Sequence, residues 1–293
     1  MSFWDWFNRL FHPKPPVVVP PKVPPVVTTP PPVVKPPVTP PPVVTPPVVT
    51  PTPPVTPTPP VSTPPVNSGK TVVFNAAFAD SANWVVGKTS AFPPAVNGVQ
   101  TNQNDNKLDA ISPAWAPSPG GQFIATKSVV KPPYWNADLV TTEGAPNGFK
   151  MKPGDVLDAD VVVGSDNGEW GACWTWGDGA QLGHGEVDFF EHHGDNPDLL
   201  ELTNHVTTRT DNYKYAAGVV TPRKSFHLKV SVETTGVTYS VDGTTVFVAP
   251  GVPANWWGYL IVNISVSAGA FHPAPDADET LLSFSVTNLT VSR

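Results

Sequence analysis

The sequence predicts an all-β protein, a two-sheet antiparallel β-sandwich carried behind a Pro-rich linker and a short N-terminal helix. Three observations predict it. From Thr71 onward, β-branched and aromatic residues fall in short runs separated by Gly, Pro, Asn and Asp. No long helical period occurs in that stretch. The part with globular composition, 67–293, is roughly 225 residues long, enough for one core.

The chain opens with "MSFWDWFNRLFH", residues 1–12. Phe3, Trp4, Phe7, Leu10 and Phe11 recur at helical spacing, and Ser2 with Asp5 resembles a cap, so a short amphipathic helix is expected. A helix this short is marginal alone. It is expected to dock on a larger assembly, on a second copy or on a membrane surface, with a disordered leader as the alternative. The stretch lacks the basic start of a secretory signal, and Asp5, Asn8 and Arg9 interrupt its apolar run. No apolar run in the chain is long enough to span a bilayer.

Residues 13–66 follow, about half of them proline and nearly all the rest Val or Thr. Proline lacks a backbone donor and fixes φ, which excludes a helix or a sheet interior. A polyproline II spacer is expected, reaching about 150 Å at ~3.1 Å per residue. An SH3-type ligand is the alternative, and the sparse charges, Lys14, Lys22 and Lys35, do not favour it.

The chain's formal net charge is −7, and the bases Arg9, Lys14, Lys22 and Lys35 precede Asn67 with only Asp5 as an acid, so the domain is more acidic than the whole. Such a surface repels nucleic acid. The single Cys173, between Ala172 and Trp174, excludes an internal disulfide and reads as a packed residue rather than a nucleophile.

Within the domain, "VLDADVVVG", "ACWTW", "FHLKVSVE", "YLIVNISVS" and "LLSFSVTNLTV" read as strands. "VTYSVDGTTVFV" reads as a hairpin with Asp242-Gly243 as its turn, which places Tyr239 opposite Val246 and Val237 opposite Val248.

The stretch "GEVDFFEHHG" carries the chemistry. On a regular strand Glu186 and Asp188 share a face and Glu191 points the other way. One extra residue, a β-bulge around Phe189 and Phe190, returns Glu191 to the face of the other two acids. Long side chains leaning together can then approach about 5–5.5 Å, the carboxyl separation of retaining glycosidases. A solvated strand face is the plain alternative for three acids in a row.

"GEVDFFE" resembles the bulged Glu-x-Asp-x-x-Glu signature of glycoside hydrolase family 16, the laminarinase, agarase and carrageenase group. "GEWGACW" upstream resembles that family's Gly-x-Trp-Pro-Ala-Phe-Trp strand, with Gly171 in place of Pro. "LTNHV", "SFHLKVSVETTGVTYSVDG" and "YLIVNISVSAG" resemble later strands, and with "VVFNAAFADSANW" and "FSVTNLTVSR" the likeness runs from Thr71 to Arg293. The resemblance implies a concanavalin A-like jelly roll with Glu186 as nucleophile, Glu191 as acid/base and Asp188 tuning the pair. It also implies a His, here His205, hydrogen-bonded to the acids. One proton is expected to be shared among the three carboxyls.

Sugar rings pack on indoles. Trp170, Trp174 and Trp176 share one strand face, with Trp174 and Trp176 the best cleft candidates by family position; Trp256 and Trp257 precede another strand, and Tyr134 and Trp135 are weaker candidates. The spacing of His184, His192, His193 and His205 fits no zinc pattern, so neither a catalytic metal nor a cofactor is expected. The family's structural calcium uses an Asp in the last strand where this chain has Asn288, which argues against calcium here. Asp195, Asp198 and Glu201 lack calcium-loop spacing and read as a solvated turn.

The expected function is that of an endo-acting, retaining β-glycosidase cleaving a polysaccharide, β-1,3-glucan or a related glycan. The anchor and spacer suit display outside the cell or on a particle surface, such as a phage virion. A carbohydrate-binding adhesin or a virion structural protein on the same sandwich is the alternative.

Overall fold

A computed structural model describes residues 69–102, 106–115, 120–129 and 134–293. The expected docking peptide, 1–12, and spacer, 13–66, lie outside the described residues. The strands are β1 (Val72–Phe74), β2 (Val85–Val86), β3 (Gln100–Thr101), β4 (Asp109–Ile111), β5 (Gln122–Lys127), β6 (Trp135–Ala137) and β7 (Leu139–Thr141). They continue with β8 (Asp155–Val162), β9 (Glu169–Trp176), β10 (Val187–His193), β11 (Leu200–Asn204), β12 (Tyr213–Ala216) and β13 (Ser225–Val232). Last come β14 (Val237–Val241), β15 (Thr244–Ala249), β16 (Tyr259–Val266) and β17 (Leu281–Ser292). Among the described residues the sole helical element is a 3-10 turn, Leu182–Gly185.

These strands make two sheets. The larger runs β15-β14-β13-β8-β17-β5-β6-β4-β3, with β1 also on β17; the smaller runs β12-β11-β10-β9-β16-β7-β2. Pairing is antiparallel except between β4 and β6. The expected two-sheet antiparallel sandwich is what forms.

Period-two alternation explains the layers. In β13, Phe226, Leu228, Val230 and Val232 are buried, while Ser225 is exposed and His227, Lys229 and Ser231 are part-exposed. The two sheets meet at Phe284 of β17, whose ring lies 5.2 Å from Phe123 and 6.1 Å from Phe190 between ring centroids. Gly171 of β9 faces that ring. A Cβ there would lie 2.9–3.2 Å from its carbons. Gly171→Ala is therefore expected to destabilise by about 1–3 kcal/mol through overpacking. Thermal unfolding reads this as a lower Tm, and an unchanged Tm would mean the sheets yield freely at this point.

The direction of Gly171 sets the other side of β9. Gly171, Cys173 and Thr175 point between the sheets, so Trp170, Ala172, Trp174 and Trp176 point away from the sandwich. Cys173 is buried, as expected of a packed residue, and burial pushes its thiol up in pKa.

The hairpin turn forms at Asp242-Gly243, both with positive φ (48° and 78°), the two-residue geometry that matches strand twist. Its register differs from the expected one. Val241 faces Thr244 and Ser240 faces Thr245, but beyond a bulge Tyr239 faces Phe247 and Val237 faces Ala249. The extra residue lets Phe247 stack on Tyr239, with centroids 5.5 Å apart.

The ends of the domain meet. Thr71 and Arg293 exchange backbone hydrogen bonds of 2.9 and 2.8 Å. Arg293 also binds the fully buried Asp155 through two bonds of 2.6 and 2.8 Å.

Candidate active site

The acids sit where β10 breaks its pleat. Against β9, Asp188 faces Trp174 and Glu191 faces Ala172, with the register shift between Asp188 and Phe190. Against β11, Asp188 faces Thr203 and Glu191 faces Glu201, again with a shift between them. Phe189 and Phe190 are both fully buried. The bulge thus buries two consecutive phenyl rings and returns Glu191 to the face of Asp188. That is the face of β9 that carries Trp170 and Trp174, turned away from the core.

Glu186 precedes β10, at the end of the turn Leu182–Gly185. Gly183, His184 and Gly185 all have positive φ (57°, 54° and 73°). A Cβ on Gly183 would run into the carbonyl of His205 and one on Gly185 would come within 2.8 Å of the Trp257 carbonyl, so this tight approach needs glycine at both positions. Gln181 ties the turn to Trp257 through its side-chain amide, at 3.0 and 3.2 Å. The His184 ring stacks on Trp176 at 4.6 Å.

His205 follows β11 and closes the cluster. Its Nε2 lies 3.1 Å from Asp188 Oδ2. Single atoms of Glu186, Asp188 and His205 lie within 4.8 Å of one another. Burial works against charge on His205, but the carboxylates of Glu186, Asp188 and Glu191 raise it to about 10. It is an imidazolium at neutral pH.

Glu191 responds the opposite way. Burial first, then the charges of Asp188 and Glu201, raise it to about 8, although Lys107 and the Trp170 N–H act against the rise. Trp170 Nε1 donates a 2.9 Å bond to Glu191 Oε1. At neutral pH this side chain holds a proton beside a row of anions.

The remaining expected site residues divide. Trp170, Trp174 and Trp176 share the acids' face; Trp174 is fixed by a 2.8 Å bond from Nε1 to Asn263 Oδ1 of β16 and meets Trp176 edge-on at 5.9 Å. Trp257 is half-buried beneath the Lys150 ammonium, 3.6 Å from its ring. Trp256 is a correction. It is 2% exposed, and its Nε1 donates to the Gly185 carbonyl at 3.0 Å, so it props up the turn before Glu186 from within the core. Trp135 is likewise buried in the core, while Tyr134 is half-buried.

Glu201 is the second correction. It does not belong to a solvated turn but is buried on β11, receiving a 3.1 Å bond from the Tyr213 hydroxyl, and burial raises its carboxyl to about 7. The alternation of Leu200 and Leu202 into the core was the signal that puts Glu201 and Thr203 on the acids' face. Lys107, with its ammonium 4.1 Å from the Trp170 ring, and Asn263 carried no pattern that points to the site. A pocket of about 500 Å³ with Lys150, Asn255 and Trp257 on its wall adjoins this region without containing the acids.

No known family profile and no curated protein sequence matches the chain. Solved structures do match. The endo-β-1,3-glucanase of Pyrococcus furiosus aligns at 16% identity over 76% of this chain and 94% of its own, with a TM-score of 0.59. The catalytic domain of an endo-1,3-β-glucanase (laminarinase) from Thermotoga petrophila aligns at 18% identity over 76% and 98%, with a TM-score of 0.60. A non-specific endo-β-1,3(4)-glucanase from glycoside hydrolase family 16 aligns at 16% over 77% and 92%, with a TM-score of 0.58. The two-sheet sandwich that carries Glu186, Asp188 and Glu191 is thus similar in fold to endo-β-1,3-glucanases.

Proposed function

We propose that residues 67–293 form a glycoside hydrolase domain that cleaves a polysaccharide internally with retention of anomeric configuration. The observation that carries this reading is the β10 bulge, which returns Glu191 to the aromatic-lined face of Asp188, near Glu186. Glu186 attacks the anomeric carbon as Glu191 gives its proton to the departing glycosidic oxygen, so the C–O bond breaks as a glycosyl ester forms. Glu191, now ionised, takes a proton from water, whose oxygen displaces Glu186 and restores the starting state. Asp188, 3.1 Å from His205, favours the protonated form of Glu191 through its neighbouring charge.

Trp170 on the Glu191 side and Trp174 and Trp176 along the same strand offer apolar faces for successive sugars. A β-1,3-glucan is the first substrate to test, because the fold is similar to that of enzymes named for that linkage. In this reading residues 13–66 are a stiff spacer and 1–12 a docking peptide, which together display the hydrolase outside the cell or on a particle such as a virion. Among the described residues, no helix is long and apolar enough to cross a membrane.

The test is release of reducing ends from laminarin, lichenan, agarose and bacterial capsule preparations, with the anomer of the first product followed by NMR. Release with the β-anomer formed first is expected. Binding to these glycans without release from any would favour a carbohydrate-binding adhesin. The acid form of Glu191 is the active one and is lost as pH rises through about 8, so kcat/KM is expected to fall above that pH. Lys107 lowers the Glu191 pKa, so Lys107→Met should move this alkaline limb upward. A limb that stays in place would remove Lys107 from the site's electrostatics.

A further inference from the structure

One strand along from Glu191, three side chains converge without making hydrogen bonds to each other. His193 ends β10, Glu201 lies on β11, and His272 comes from the segment after β16. His193 Nε2 lies 3.8 Å and His272 Nε2 lies 3.7 Å from the same oxygen, Glu201 Oε1. These separations are too long for hydrogen bonds. They suit atoms that share an ion, since bonds of ~2.0–2.1 Å at tetrahedral angles put neighbouring ligand atoms roughly 3.3 Å apart. One atom from each residue lies within 4.8 Å of the others. The two imidazoles stack with centroids 3.5 Å apart, so one ring swings out of the stack for both in-plane lone pairs to reach a common ion.

Outer contacts prepare two of the three ligands. Asp195 Oδ1 lies 2.9 Å from His272 Nδ1 and accepts a hydrogen bond from the Nδ1–H tautomer, which leaves the Nε2 lone pair toward Glu201. Tyr213 donates to Glu201 Oε2, which leaves Oε1 for another partner. His193 is 2% exposed, and its Nδ1 has no hydrogen-bond partner. A buried carboxyl oxygen facing two imidazole nitrogens beyond hydrogen-bond reach is a costly arrangement that a cation would relieve.

We propose that His193, Glu201 and His272 form a binding site for one divalent transition-metal ion, with zinc the best match to two imidazoles and one carboxylate. Asp195 and Tyr213 are its positioning residues. Three protein ligands leave a coordination position for water or for a hydroxyl of a bound sugar. The inference is independent of the hydrolase reading, because it needs no turnover.

Zinc chloride titrated into the full chain after chelator dialysis tests it by calorimetry, with thermal unfolding alongside. One ion per chain at micromolar or tighter affinity is expected, with a zinc-dependent rise in Tm. His272→Ala, at a part-exposed position, should weaken binding at least about tenfold and abolish the Tm rise, and Asp195→Asn should weaken it by about 10–100-fold. Circular dichroism of the zinc-free variants confirms that they fold. Absence of saturable binding overturns the proposal. So does undiminished binding in folded His272→Ala, or binding that survives there and is lost in Glu186→Gln, which would place the ion among Glu186, Asp188 and His205.

Discussion

Glu186→Gln is expected to eliminate reducing-end release, with kcat lowered by about 10⁴-fold or more, the order seen when a catalytic nucleophile is removed and its surroundings are kept. The amide is nearly isosteric with the carboxylate but cannot form the glycosyl ester. The turn Leu182–Gly185 is held by backbone contacts and by Gln181. The variant should therefore fold, and its affinity for oligosaccharides should stay within a few-fold of the wild type. One further effect is specific. Glu186 is the largest charge that raises His205, so the His205 imidazole, followed by NMR, should titrate at lower pH in the variant. Retained turnover would remove Glu186 from the nucleophile's role, whereas loss of oligosaccharide binding together with turnover would point to damage of the trough.

Glu191→Gln carries the second large effect, and it has two parts. Turnover should fall by about 10²–10⁴-fold, the contribution of a positioned acid. The loss should be smallest for aryl glycosides whose leaving group departs without a proton. Stability should move the other way. Burial and the neighbouring anions raise Glu191 from 4.5 to about 8, so the folded state holds this proton more tightly than the unfolded chain does. That contribution is complete below about pH 4.5 and is lost as pH rises through 8. Glu201, raised to about 7, behaves likewise over a lower range. The wild type should thus lose stability across pH 5–8. Glutamine, always neutral, escapes the Glu191 share, on the order of 5 kcal/mol at pH 9. Tm measured at pH 5 and pH 9 reads the difference. A gap between variant and wild type that does not widen with pH would mean that Glu191 is ionised in the folded protein. Crowding like charges in one site commonly costs stability.

Much of this was legible in the residues. The long strands, the lack of any long helix among the described residues and the Asp242-Gly243 turn follow from local patterns that tertiary packing did not override. The bulge was legible because the pattern acid, apolar, acid, two apolar, acid fits a single face only with one residue out of register. The second bulge, in the β14–β15 hairpin, was not. Val246 and Phe247 are both apolar, so alternation does not tell which of them Tyr239 selects, and ring stacking decides. Trp256 and Trp257 are chemically identical neighbours, and only the fold shows that one supports the Gly185 carbonyl while the other meets Lys150. The His193, Glu201 and His272 cluster joins residues far apart in the chain. Its parts give no spacing signal, because the loop after β16 brings in the last of them.

The bulge ties chemistry to folding in a way that constrains how this protein can change. Ironing out the bulge at constant length would send Glu191 inward and Phe190 outward to water, whereas deleting Phe189 would keep Asp188 and Glu191 on one face and draw them one residue closer. The extra residue therefore sets how far apart these two carboxyls stand as well as which way they face. A descendant in which the acids are exchanged for other side chains would still carry the irregular strand as a record of its ancestry.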